Sequence, residues 1–214
     1  MAALSFDCLD ISPVAYAVEP TLGVRLRVAE TTGVPVEAIA LRCQIRILPQ
    51  RRRYSDEEAT RLVDLFGEPS RWADTQKPLQ FAALSAMVPR FAGSTEVELP
   101  LPCTYDLEVA SSRYFHSLAD GVVPLVLLFS GTVFGRGPAG VMTVDQVSWQ
   151  SEAEYAMPVS VWRELMDLYF PGTGWLRLRH ETLDALARYR SAHGILTWDQ
   201  TVEALLEQVG EVAR

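Results

Sequence analysis

The sequence lacks the short motifs that mark most nucleotide-binding, hydrolytic and zinc-dependent enzymes. The phosphate-binding pattern G-x-x-x-x-G-K followed by Ser or Thr does not occur in its 214 residues. The G-x-S-x-G nucleophile elbow and the H-E-x-x-H zinc helix are also absent. The glycine-rich segment from Gly135 to Gly140 has the spacing G-x-G-x-x-G, but it precedes a predicted strand rather than a helix, so phosphate binding is not expected. We therefore predict no catalytic residues.

Cysteine and histidine are scarce, with three of each. No C-x-x-C pair occurs, and the histidines lie in unrelated segments, so the ligand spacing of a metal site is missing. Cys43 and Cys103 fall in the apolar phase of alternating segments, where cysteine usually behaves as a small buried hydrophobic residue. We predict three reduced thiols, including Cys8, with no metal and no cofactor.

The chain has neither an excess of positive charge nor an apolar run long enough to cross a membrane. Its net charge is −8 and its pI is about 4.9, which argues against nucleic-acid binding over the whole surface but leaves a local basic patch open. The longest apolar run, Val122 to Phe129, is far shorter than the about 20 residues of a spanning helix. The N-terminus carries no basic segment followed by an apolar one, so we expect a cytoplasmic protein.

Pro102 to Arg136 contains the strongest strand signals. Cys103 to Val109 alternates apolar and polar residues, which is typical of a half-buried strand. Val122 to Phe129 is apolar on both faces, which predicts a strand inside the core, with Pro124 among its first residues. We predict that these two segments form the central strand pair of an antiparallel sheet.

Strand patterns also cover most of the remaining N-terminal part. Ile39 to Ile47 places Ile39, Leu41, Cys43, Ile45 and Ile47 on one face and Arg42, Gln44 and Arg46 on the other. The second set is either a solvated sheet surface or a docking face. About eight short strands separated by Gly and Pro predict a mainly β fold with α, an antiparallel β-sandwich or an open barrel-like sheet.

A helix is predicted as an insertion between strands, near residues 55–66. Ser55 and Glu58 have the spacing of a capping box, and Gly67 suits the position after the helix end. The loop that follows, residues 68–78, is long for a compact β domain, and long ordered loops are often functional.

Basic and aromatic residues flank this inserted helix. Arginine beside tryptophan is the composition of an interface hot spot, although an arginine run is usually a solvated loop. We therefore predict a partner-binding site formed by Arg51, Arg52, Arg53, Arg71, Trp72 and Lys77.

Helical periodicity replaces strand alternation from Pro158 onwards. Three helices are predicted, and Thr197 with Gln200 resembles another capping box. We expect a β domain at 1–157 and a helical appendage at 158–214 packed on it.

Four stretches resemble a family of actinobacterial proteins of unassigned activity: LRCQIRILPQRRRY, LFGEPSRWADTQKPLQF, VPLVLLFSGTVF and VWRELMDLYFPGTGWLRL. The resemblance runs nearly end to end. Genes of that family often lie beside those of uptake nickel–iron hydrogenases, which implies a role in hydrogenase assembly, stability or attachment. It implies no catalytic residues.

Two functions follow from these observations. The first is a non-enzymatic cytoplasmic accessory factor that binds another protein, and the family resemblance implies that this protein is a hydrogenase subunit or precursor. The alternative is an enzyme or small-ligand binder with a pocket between the sheet and the appendage, near His116 and Asp120, because a histidine beside a carboxylate can act as a general base.

Overall fold

The computed structural model describes residues 3–103, 113–137, 140–173 and 178–210. Eight strands lie in these ranges: β1 Leu4–Pro13, β2 Thr21–Glu30, β3 Val36–Ile47, β4 Leu79–Val88, β5 Ser94–Pro102, β6 Val122–Arg136, β7 Met142–Gln146 and β8 Glu152–Pro158. The α-helices in the same ranges are α1 Asp56–Arg61, α2 Val63–Phe66, α3 Trp72–Thr75, α4 Arg113–Ser117, α5 Val159–Tyr169, α6 His180–Ala192 and α7 Trp198–Val209, and short 3-10 helices span Pro49–Arg51 and Pro69–Arg71.

The strands form two antiparallel sheets around one hydrophobic core. The smaller sheet has the order β1-β2-β5, and the larger has the order β4-β3-β6-β7 with β8 also paired to β6. Because β6 is 15 residues long, it pairs with β3 along one side and with both β8 and β7 along the other. The sheets meet where β1 contacts β8 and where β4 contacts β5. This arrangement is a sandwich and confirms the predicted mainly β class with helices.

Alternation in β3 places its side chains as predicted. Its five apolar residues from Ile39 to Ile47 are at most 1% exposed, whereas Arg42 is exposed and Gln44 and Arg46 are half-buried on the other face. Burying an aliphatic side chain of this size contributes about 2 kcal/mol, so the alternation fixes which face of β3 points inward.

The inserted helical segment begins with the predicted capping box. The Ser55 hydroxyl accepts from the Glu58 N–H, and the Glu58 carboxylate accepts from the Ser55 N–H. The helix is divided at Leu62 into α1 and α2, and Gly67 follows it with a φ of 74°. Residues of α4 join this segment to the core, because Tyr114 contacts the Phe66 ring.

Two compact units divide the chain, residues 1–172 and 173–214. The boundary between the units lies after α5, whereas the predicted division at 157/158 lies before it. Trp162 explains the difference, since this α5 residue is 2% exposed and stacks on Phe115 inside the first unit. In the second unit, α6 and α7 contact each other, and the Thr197 hydroxyl accepts from the Gln200 N–H at the start of α7.

Other elements differ from the sequence prediction or lie outside the description. Strand β8 and helix α4 were not predicted, whereas β6 is confirmed as a central strand with Pro124 as its third residue. The predicted strand Cys103 to Val109 lies outside the described residues, except for Cys103. All three cysteines are free thiols. Among the described helices, none has the length and apolar character needed to cross a bilayer.

Candidate functional site

Arg52, predicted to bind a partner, is a buried structural residue. Its side chain is 8% exposed and forms an ion pair of 2.6 Å with Glu58, whose side chain is 5% exposed. It also donates to the carbonyl oxygens of Val122 at 2.9 Å and Asp120 at 2.6 Å. Arg52 therefore ties the start of the inserted segment to the loop before β6, and its side chain is buried rather than exposed.

Glu58 completes this buried cluster. Burial alone would raise the pKa of Glu58, but the N–H groups of Ala119 and Ser55 and the Arg52 guanidinium stabilise the carboxylate and hold its pKa below the usual value. The Ala119 N–H donates to Glu58 at 2.7 Å, so the carboxylate also anchors the loop after α4. The cluster stabilises the fold and leaves no charge free for a ligand.

Trp72 is half-buried, and its ring packs against neighbouring aromatic side chains. Its indole N–H donates to the Gly67 carbonyl at 2.8 Å, and its ring meets Tyr54 edge-on at 5.2 Å and Phe66 at 6.0 Å. Tyr54 in turn donates to the Pro49 carbonyl at 2.8 Å. These contacts give Trp72 a packing role.

The remaining predicted binding residues, Arg51, Arg53, Arg71 and Lys77, are exposed. Arg51 forms an ion pair with Glu154 of β8, which faces solvent beside Val126. That these four residues bind a partner stays a prediction.

His116 and Asp120, the residues of the alternative function, are both exposed. Asp120 accepts from the N–H of the next residue, Gly121, at 2.6 Å, and its carbonyl accepts from Arg52. Asp120 thus serves its own loop. Among the described residues, no cluster of three His, Cys, Asp or Glu side chains could hold a metal ion.

The larger sheet presents a surface that the sequence only partly indicated, here called the outer face. It is the solvent side of β4, β3, β6, β7 and β8. The strand register places on it side chains that include Gln80, Ala83, Ser85, Met87, Ala40, Arg42, Gln44, Arg46, Val126, Leu128, Ser130, Thr132, Phe134, Val144, Gln146, Glu152 and Glu154.

Arg42 lies near the middle of the outer face. The register places it between Ser85 of β4 and Ser130 of β6, and all three side chains are exposed. Within the described part of the chain, no hydrogen bond or ion pair engages its guanidinium. A shallow, open depression of about 380 Å³ adjoins it, lined by Ala40, Leu41, Arg42, Ser85, Ala86 and Met87. A planar guanidinium between two hydroxyls is suited to binding a carboxylate.

Of the residues that the structure describes, the acidic ones on this surface lie at its borders. Between the row of Arg46 and the row of Phe134, the described residues of β3, β4, β6 and β7 contribute no carboxylate to it. Glu152 and Glu154 stand on β8, and Glu37 at the far end pairs with Arg136 at 3.1 Å. The centre is therefore basic in a chain whose net charge is −8.

An apolar patch continues from Arg42 toward β7. Register pairs Met87 with Ala40, Ala40 with Thr132, and Phe134 with Val144, so the patch crosses four strands. Met87 is 64% exposed and Val144 is 59% exposed. The alternation in β3 indicated Arg42, Gln44 and Arg46 as a possible docking face. It did not indicate Ser85, Ser130 or the apolar patch, because only the register brings these strands together.

The model of a family of unknown function, DUF6084, matches residues 1–214. No curated protein matches the chain. Similar solved structures include a β-glucosidase from Kluyveromyces marxianus, with 8% identity, coverage of 73% of this chain and 15% of that chain, and a TM-score of 0.27. Another is β-glucosidase 3B from Thermotoga neapolitana in complex with α-D-glucose, with 14% identity, coverage of 72% and 17%, and a TM-score of 0.26. The chain thus spans less than a fifth of these enzymes, and likeness at such TM-scores carries no argument.

Proposed function

We propose that the chain, which belongs to the DUF6084 family over residues 1–214, is a non-enzymatic accessory factor that binds another protein on its outer face. The observation that carries this proposal is the exposed Arg42, flanked by Ser85 and Ser130 and bordered by an apolar patch. Arginine surrounded by apolar side chains is a common centre of protein interfaces.

The chemistry of the outer face defines the partner that it fits. A carboxylate on the partner would pair with Arg42, and apolar side chains beside it would cover Met87 and Val144. The interaction would weaken as salt rises, because part of the attraction is electrostatic. Nucleic acid fits less well, since among the described residues Arg42 and Arg46 are the only basic side chains at the centre of this face.

The proposed partner is a subunit or precursor of a nickel–iron hydrogenase in the cytoplasm of an actinobacterium. This identification rests only on the family resemblance of the sequence. The chemistry of the outer face supports a protein partner in general and does not select a hydrogenase.

The proposal is tested by purifying tagged protein from its host and quantifying co-purified proteins by mass spectrometry. Arg42→Ser removes the central guanidinium. Its matched control is Arg25→Ser, because Arg25 is an exposed strand arginine on the solvent face of the smaller sheet. We expect Arg42→Ser, and not Arg25→Ser, to reduce the partner at least about tenfold, the loss typical of a hot-spot residue.

Equal recovery of the partner with both variants would contradict binding at the outer face. Hydrogenase subunits among the proteins lost with Arg42→Ser would identify the partner as proposed. Loss of a different protein would keep the binding role and reject the hydrogenase.

A further inference from the structure

Strand β7 is an exposed edge of the larger sheet. Both of its faces are open to solvent, and the segment from Val141 to Trp149 carries four large apolar side chains that are 59–87% exposed: Val141, Met142, Val144 and Trp149. Natural proteins usually protect such edges, since an unpaired strand invites pairing with another chain.

The backbone of β7 shows which groups are open. The Gly137 N–H donates to the Val141 carbonyl, and the Val147 N–H donates to the Gly131 carbonyl. In an antiparallel pair the backbone groups of one residue point to the same side, and successive residues alternate. Odd-numbered residues of β7 therefore face β6, while the N–H and C=O groups of Met142, Val144 and Gln146 point away from it.

The other sheet edges are covered by neighbouring elements. Strand β4 contacts β5, and β1 contacts both β8 and α5. In the described part of the chain, β7 packs mainly against β6. The open edge also continues the apolar patch, because Val144 belongs to both surfaces.

We infer that β7 accepts an additional β-strand, supplied by an extended segment of the protein partner. This inference rests on the proposed function and describes how the partner would be held. The added strand would pair with the outward groups of Met142, Val144 and Gln146, and its backbone would provide affinity. Apolar side chains at every second position would pack beside Met142 and Val144, and a polar or basic one would face Asp145.

A second copy of this chain fits the edge less well. β7 has five residues, about 17 Å, whereas a stable dimer usually buries about 1,200–2,000 Å². The net charge of −8 on each copy also opposes self-association. A partner segment can instead extend from the edge across the apolar patch.

The test uses a phage-displayed library of random decapeptides selected on the purified full-length protein. Val144→Pro removes an outward N–H and places a ring where the added strand would lie, while leaving the β6 hydrogen bonds intact. Val144→Ala is the matched control, because it shortens the side chain and keeps the N–H. Melting curves verify that both variants are folded.

We expect enriched peptides with apolar residues at every second position, binding Val144→Ala within about threefold of wild type and Val144→Pro at least about tenfold more weakly. Absence of enrichment, or equal binding to Val144→Pro, would overturn the inference. Wild-type dimers in sedimentation equilibrium that Val144→Pro abolishes would also overturn it, in favour of a second copy. Arg42 lies two strands, or about 10 Å, from β7, so Arg42→Ser should leave peptide binding unchanged. Failure of strand addition at β7 can therefore be distinguished from failure of partner binding at Arg42.

Discussion

Replacement of Arg52 by serine should destabilise the protein far more than replacement of either neighbouring arginine. The change leaves the Glu58 carboxylate, whose side chain is 5% exposed, without its guanidinium partner. Removing one member of a buried ion pair typically costs about 3–5 kcal/mol. Because Glu58 keeps the N–H groups of Ser55 and Ala119, we expect the lower end, about 3 kcal/mol.

Arg51→Ser and Arg53→Ser are the matched controls. Arg53 is exposed, and the Arg51 pair with Glu154 is more than half exposed, so each change should cost less than about 1 kcal/mol. In a unit of this size, about 3 kcal/mol lowers the melting temperature by roughly 6–12 °C. Circular dichroism melting and urea titration measure the difference, and equal stability of the three variants would refute the buried role of Arg52.

The dependence of stability on pH gives a second readout of the same cluster. Because the folded-state pKa of Glu58 is lower than its unfolded value, ionised Glu58 stabilises the protein above the unfolded pKa of about 4.3. This contribution is lost as pH falls through the folded pKa. Glu58→Gln should therefore reduce the loss of unfolding free energy at acid pH. Combined with Arg52→Ser in one chain, it should also restore part of the stability that Arg52→Ser loses, because no buried charge then remains unpaired.

Three further predictions concern the core. Ile45→Asp should prevent folding, because Ile45 is 0% exposed. Arg46→Asp should still give a cooperative melt, because Arg46 lies on the outer face, and similar melting curves for the two variants would show that the β3 register is wrong. Gly131→Ala should cost at least about 2 kcal/mol, since Gly131 has a φ of +145° and an added Cβ would lie 2.1 Å from the Ala40 carbonyl oxygen. The control Gly33→Ala, in a turn with open space around it, should cost about 1 kcal/mol, and equal urea midpoints would contradict the close approach. Burial raises the pKa of the Cys43 thiol to about 12, so iodoacetamide at pH 8 should leave Cys43 unlabelled in the folded protein and label all three cysteines after denaturation, as peptide mass spectrometry would show.

Local patterns predicted the parts of the fold that depend on local physics. Alternation in β3 identified Ile45 as buried, and the Ser55 and Glu58 spacing identified the start of α1. β8 was missed because its inward residues include the small Ala153, which weakens the apolar alternation.

Properties that depend on distant contacts could not be read from the sequence. Arg51, Arg52 and Arg53 are chemically identical neighbours, and Arg52 differs from the other two partly because it contacts carbonyl groups 68 and 70 residues away. Similarly, one row across the sheet consists of Ser85, Arg42 and Ser130, which lie on three different strands. The sequence could not predict this row because it depends on how the strands pair.

Site-specific photocrosslinking in the host tests the binding role of the outer face most directly. A photoreactive residue placed at Ser85 would lie beside Arg42. The same residue at Ser5 would lie on the smaller sheet, where the serine is also exposed and within a strand. We predict a discrete protein adduct from Ser85 and none from Ser5. An adduct from Ser5 alone, or no adduct from Ser85 in cells that contain the partner, would contradict the assignment of the outer face as the binding surface.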